Sequence, residues 1–256
     1  MYKKLIVLLL LFTSLSAQQY NKPAFILAAG NLKFVFPQII KKFYIKYPRA
    51  SVHIQYGASG TLTTEILKGK EYDLFFSANI TYAQKIYTAK KSATTPKNYI
   101  QGLLILFVPS HISLSTKGIK ILNNKDIKHI TLANKSNAPY GKAAMQAIKN
   151  SKCCKETLEK IHYSSDVATA IDNVIWYKDA GFLSKSALNM IPESRKIEGL
   201  DWIEIDTKLY TPIIQAYVVS KEGLHNENAK KFLTFIESDE GQKIFQDNGY
   251  KTINHK

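Results

Sequence analysis

Arginine is nearly missing from this 256-residue chain: of its 35 Lys and Arg residues, only Arg49 and Arg195 are arginine. A site that grips carboxylates or reads bases through the bidentate guanidinium fork is therefore not expected. Cysteine is equally scarce. Cys153 and Cys154 are neighbours, and Cα atoms about 3.8 Å apart fall short of the roughly 4.4–6.8 Å a disulfide needs. With no Cys-x-x-Cys spacing, they read as two free or loosely oxidised thiols at a helix end. Histidine offers no metal spacing, since His53, His111, His129, His162 and His225 stand singly. There is no internal repeat, no low-complexity segment, and past the first residues no apolar run near the about 20 residues a membrane span requires.

What is abundant is lysine. The formal charge is +15, but the lysines, such as Lys22, Lys33, Lys68, Lys125, Lys160, Lys208 and Lys243, are scattered rather than gathered with aromatics on one element. That argues for a solvated surface able to steer anions and against a nucleic-acid partner. Met1 to Ala17 carries Lys3-Lys4, then the apolar run Leu5 to Phe12, then small residues at Ser14, Ser16 and Ala17. This is the pattern of a secretory signal peptide, with a retained anchor as the alternative, and no cysteine stands near its end for lipid attachment. Export also removes the chain from nucleic acid.

Strand-like and helix-like segments then alternate, as in an α/β fold of doubly wound parallel sheets. Ala24–Ala28, Val52–Tyr56 and Asp73–Ser77 read as strands. A helix is expected from Asn31 to about Tyr47, where Pro48 stops it, and others from Leu62 to Leu67 and Ile80 to Ala89. After a polar stretch, Ser110 to Asp126, the pattern restarts: strand Ile130–Ala133, helix Gly141–Lys149, helix Thr157–Lys160, strand Ile161–Tyr163, helix Asp166–Tyr177 and strand Phe182–Leu183. Helices Asn226–Ile236 and Glu240–Asp247 finish the chain. The apolar runs Leu103–Val108 and Pro212–Val219 are expected to cross between two lobes as a two-strand hinge. Lobe 1 then comprises 18–104 and 217–256, and an inserted lobe 2 comprises 105–216.

Ala28-Ala29-Gly30-Asn31-Leu32 and Tyr56-Gly57-Ala58-Ser59-Gly60-Thr61-Leu62 each join a strand to a helix through small residues and one neutral hydrogen-bonding side chain. Asn137 to Lys142 and Ser164 to Val167 repeat the arrangement in the second half. Helix N-termini leave N–H groups unpaired and carry partial positive charge, and glycine admits a ligand close to the backbone. Four such turns facing one cleft could hold an oxyanion with neutral donors. Taken singly, Asn31 and Ser59 also suit helix N-caps, Gly57 and Gly60 suit ordinary turns, and Tyr140 suits packing. Val167 can contribute only its backbone N–H.

In order and spacing, Ala28–Leu32, Ala58–Leu62, Asp73–Ala78, Ala138–Ala143, Tyr210–Ile213 and Gly249-Tyr250 resemble the periplasmic molybdate-binding proteins of ABC transporters over nearly the whole mature chain. The resemblance implies a two-lobed periplasmic binding protein, monomeric and without cofactor, that captures molybdate or tungstate and delivers it to a membrane permease. It implies hydrogen bonds to the anion from Asn31, Ser59, Tyr140 and Val167, with Gly30 contributing backbone. Many members have serine at the position of Asn31, and some use a tyrosine near Ser184; Asn31 with Tyr140 looks like the other branch.

Sulfate is the alternative ligand, since the same neutral design would suit it. A secreted serine hydrolase would need more than Gly57-Ala58-Ser59-Gly60, where Thr61 replaces the last glycine of the nucleophile elbow and no histidine follows in a triad context. An amino-acid binder would use arginine for the carboxylate. A DNA-binding regulator would carry a helix-turn-helix, and none is seen.

Overall fold

The computed structural model describes residues 22–112, 114–153 and 155–253. The expected signal peptide, Met1 to Ala17, and Cys154 lie outside them. Among the described residues no helix is long and apolar enough to cross a membrane.

The first half runs β1 (Ala24–Ala29), α1 (Phe36–Lys46), β2 (Val52–Gly57), α2 (Ser59–Leu67), β3 (Leu74–Ser77), α3 (Ile80–Thr88), β4 (Lys97–Gly102) and β5 (Leu104–Phe107). The second half runs β6 (Ile130–Ala133), α4 (Pro139–Asn150), α5 (Lys155–Glu159), β7 (Ile161–Ser164), α6 (Val167–Trp176), β8 (Ala180–Ser184), β9 (Trp202–Glu204), β10 (Ile213–Val219), α7 (Glu227–Glu237), α8 (Asp239–Asp247) and β11 (Tyr250–Thr252). Local chemistry sets many of these ends. Asn79, Asp166, Asn226 and Ser238 cap α3, α6, α7 and α8 with side-chain oxygens, and Gly69 follows α2 with φ +105°, a left-handed stop that glycine tolerates. The helix expected from Asn31 is instead a 3₁₀ turn, Gly30–Phe34, followed by α1. Pro37 in the first turn of α1 explains the break, because proline has no N–H to continue a helix already under way.

Two sheets result, ordered β11-β4-β10-β3-β1-β2 and β7-β6-β8-β5-β9. They are mixed rather than parallel. β1 runs parallel to β2 and β3, and β6 to β7 and β8; β10, β11 and β5 pair antiparallel to their neighbours. The two runs expected to form the hinge are each a strand within one sheet: β5 lies in the five-stranded sheet and β10 in the six-stranded one. The chain crosses at Leu103 and returns between Glu204 and Ile213, so Ile213–Ala216, expected in the inserted lobe, pair in the other sheet. Ladder hydrogen bonds fix this, whereas an apolar run carries no sign of its partner.

Helices cover the sheets on both faces, so β1 and β3 are buried almost throughout. Phe36, Phe43, Phe76 and Phe232 pack edge to face over the six-stranded sheet with centroids 5.3–6.0 Å apart. Against the other sheet α4 sits so close that a Cβ on Gly141 would lie 1.9 Å from the Ala133 carbonyl oxygen. Gly141→Ala is therefore expected to lower stability by about 3 kcal/mol, read as a shifted midpoint in urea unfolding.

Candidate functional site

The parallel registers bring the strand ends together. Ala29 pairs with Gly57 and Ala28 with Phe76, so the turns after β1, β2 and β3 leave one sheet edge side by side. Ala133 pairs with Ser164, which does the same for the turns after β6 and β7. These two edges face each other. Gly60 N–H donates to the Asn137 carbonyl (2.8 Å), Asn137 Nδ2 to Thr61 Oγ1 (3.0 Å), and Tyr82 OH to the Ser136 carbonyl (3.1 Å). A Cβ on Gly30 would stand 3.2 Å from Asp166 Oδ1. The four turns singled out in the sequence thus meet between the sheets.

Neither Asn31 nor Ser59 is an N-cap; those positions belong to Ala29 and Ala58. Ser59 opens α2 and is 1% exposed. Its Oγ accepts from Ala78 N–H (2.9 Å), which leaves the hydroxyl proton to be donated. Among the described residues no histidine hydrogen-bonds it. Tyr140 lies in the first turn of α4, buried, with its hydroxyl oxygen accepting from Gln215 Nε2 (3.3 Å). Burial first, and then the neighbouring Tyr250, Tyr210 and Tyr99, hold its pKa well above the ordinary value, so it is a neutral donor. Asn31 is fully buried and gives both amide protons away, to Gln215 Oε1 (3.1 Å) and Tyr250 OH (2.9 Å), while its Oδ1 has no partner among the described residues. Val167 opens α6. The capping Asp166 carboxylate takes the N–H groups of Ala168 (2.8 Å) and Thr169 (2.9 Å), not that of Val167.

The arrangement collects hydrogen-bond donors without a cationic side chain, which suits an anion whose charge is met by backbone dipoles and neutral groups. Lysine is placed farther out. A groove of about 430 Å³ between α3 and α4 is lined by Lys85, Lys135, Lys142 and Lys149 and by no carboxylate, a field that raises the encounter rate of anions.

Several contributors carry no local sign in the sequence. Gln215 joins Asn31, Tyr99 and Tyr140; Tyr250 and Ser186 hold the Asn31 carbonyl (3.1 and 3.3 Å). The one signal for Gln215 is an amide inside the apolar run of β10. The structure also pairs two histidines that the sequence separates, His129 Nδ1 and His162 Nε2, at 2.8 Å, though no group of three metal-ligating residues exists among the described residues. Cys153 rests against Ser151 Oγ (3.1 Å).

The buried tyrosines have a consequence for stability. Burial raises Tyr56 and Tyr250 to about 12 and Tyr99 well above its ordinary value. The unfolded chain releases these protons near pH 10, while the folded chain retains them. Their contribution is thus complete below about pH 10 and lost as pH rises through the folded values. Urea midpoints should stay level to about pH 9 and fall steeply by about pH 11.

The family of bacterial extracellular solute-binding proteins matches residues 25–251. The molybdate-binding protein ModA of Rhodobacter capsulatus is 28% identical over 208 residues, 79% of this chain and 78% of that one. The periplasmic molybdate-binding protein of Azotobacter vinelandii superposes with a TM-score of 0.80 at 23% identity, covering 90% of this chain and all of the other. The sulfate-binding protein SubI of Mycobacterium tuberculosis shares the fold at 0.68 and 13% identity, with 91% and 88% covered. With the family matched from β1 to β11 and the two-sheet architecture shared, this chain belongs to the bacterial extracellular solute-binding proteins.

Proposed function

We propose that the chain captures molybdate or tungstate in the periplasm, after its export segment is removed, and hands the anion to the permease of an ABC transporter. The observation that carries the reading is the meeting of four turns whose buried groups are neutral donors: the Ser59 hydroxyl, the Tyr140 hydroxyl, the N–H of Val167, and the backbone of the Gly30–Asn31 turn. The Asn31 side chain, tied to Gln215 and Tyr250, fixes that turn. Each charge-assisted bond contributes about 1.5–3 kcal/mol, and each helix end adds about 0.3–1 kcal/mol, enough together to offset desolvation of a dianion. In this reading the six-stranded sheet, from 22–102 and 213–253, is one lobe and 104–204 the other, and they close on the ligand as a monomer, without a cofactor. Closure shifts toward the liganded form through differential affinity.

Calorimetric titration with molybdate, tungstate, sulfate and phosphate tests it. One-to-one binding of the first two, with sulfate and phosphate silent, is the expected result. Preference for sulfate would move the chain to the sulfate-binding alternative, and silence from all four would overturn the reading.

A further inference from the structure

We propose that Gln215 makes Tyr140 a hydrogen-bond donor toward the ligand, by giving its own amide N–H to the Tyr140 hydroxyl oxygen. This rests on the function proposed above and adds to it a positioning residue. Gln215 is fully buried in β10. Its Oε1 accepts from Asn31 Nδ2 (3.1 Å) and Tyr99 OH (3.4 Å), and its Nε2 donates to Tyr140 OH (3.3 Å).

The Asn31 N–H on Oε1 sets which way the amide faces, since the Tyr99 hydroxyl could donate or accept. A half-turn would set its NH₂ against the NH₂ of Asn31. With Nε2 already donating to the phenol oxygen, the single phenol proton must point away from Gln215. Tyr140 is buried, and none of its hydrogen bonds among the described residues takes that proton. A buried donor left unmade is costly, and an oxyanion supplies the missing acceptor. Were a carbonyl or carboxylate to face Tyr140 instead, the phenol would donate backward and turn lone pairs toward the anion. Gln215 also spans the two sheets: it lies in the six-stranded one, with Asn31 beside it, whereas Tyr140 belongs to the helix following β6 of the other.

Gln215→Glu tests this, because it keeps the shape and replaces the donor with an acceptor. Wild type, titrated calorimetrically with molybdate between about pH 6 and 9, should bind with level affinity and no proton exchange, since its donors are neutral throughout. The variant should bind at least about 100-fold more weakly at the upper end and recover as pH falls, taking up about one proton per anion, because the dianion favours the protonated form of the introduced carboxyl group. Direct repulsion of the anion by the introduced carboxylate gives the same pH dependence, so a second measurement decides whether the effect runs through Tyr140. The second measurement is a cycle with Gln215→Glu at about pH 9: Tyr140→Phe should cost about tenfold or more in wild type and under about threefold beside glutamate, where the phenol donates backward. If Gln215→Glu does not fold, Gln215→Leu decides: with no acceptor behind the phenol it should weaken molybdate binding less than Tyr140→Phe does, and an equal or larger loss would make Gln215 a structural residue.

Wild-type affinity in Gln215→Glu at high pH without proton uptake, or an equal cost of Tyr140→Phe in both backgrounds, overturns the role of Gln215 alone. A wild type silent toward molybdate, tungstate, sulfate and phosphate overturns the functional reading, and the role of Gln215 with it.

Discussion

Gly60→Val should reduce molybdate affinity by about 100-fold or more, equivalent to about 2.7 kcal/mol, while leaving the melting temperature of the ligand-free protein within a few degrees of wild type. Gly60 is the second residue of α2, where a side chain meets little helical objection; valine costs about half a kcal/mol or less there. The objection comes from across the interface. A Cβ at this position would stand 2.8 Å from Asn137 Cα and from the Tyr82 hydroxyl, and 2.9 Å from Asn137 Cβ. Backbone cannot step aside as a flexible side chain can, and Gly60 N–H also donates to the Asn137 carbonyl. The valine is therefore a wedge between the edges that carry Ser59 and Tyr140. A protein held open retains each lobe's own core and loses only the fraction of molecules competent to bind, which lowers apparent affinity in proportion. Scattering separates this from simple damage: molybdate should contract wild type and leave the variant's radius unchanged. Undiminished affinity in Gly60→Val would mean that the Gly60–Asn137 contact is not part of the ligand-bound state.

This interface shows what a sequence can and cannot disclose. The turns at Gly30–Asn31, Ala58–Ser59, Ala138–Tyr140 and Asp166–Val167 were legible because an apolar strand that ends in small residues and runs straight into helical spacing must turn at a sheet edge. That β1, β2 and β3 run parallel, and β6, β7 and β8 likewise, was legible on the same grounds; their order across the sheets was not. Strand direction elsewhere was not. Ile213–Val219 is apolar almost throughout, so it fits either sheet in either sense, and only pairing with β3 and β4 decides. β4 hid behind Lys97, Asn98 and Gln101, residues that its position beside β10 and β11 accommodates. The roles of polar groups were the least legible. Asn31 suits a cap by composition, yet its amide is committed to Gln215 and Tyr250, which lie 184 and 219 residues away. Local sequence reports what a residue can do, and distant partners settle which of those things it does.

Ser59→Asp should abolish measurable molybdate binding, by at least about a thousandfold, while leaving the ligand-free protein within about 1 kcal/mol of wild-type stability. Both effects have the same cause. Ser59 opens α2, and the unpaired N–H groups and dipole there favour a negative charge by about 0.3–1 kcal/mol. Ala78 N–H, which now donates to the serine oxygen at 2.9 Å, can donate to a carboxylate as well. Aspartate thus satisfies the donors that the anion would otherwise use. Against a dianion about 4 Å away, each pair of like charges costs about 4 kcal/mol at the effective dielectric of a protein site, and the dianion doubles it. Ser59→Ala removes one charge-assisted bond without adding charge and should cost about 1.5–3 kcal/mol of affinity, a tenfold to hundredfold loss. Thermal unfolding with and without molybdate reads both quantities at once. Saturating ligand should raise the wild-type transition by mass action, raise that of the alanine variant less, and leave that of the aspartate variant where it was. An aspartate variant that still responded to molybdate would place the anion away from the start of α2. If the variant instead lost stability without ligand, Ser59 would be a packing residue rather than an anion-facing donor.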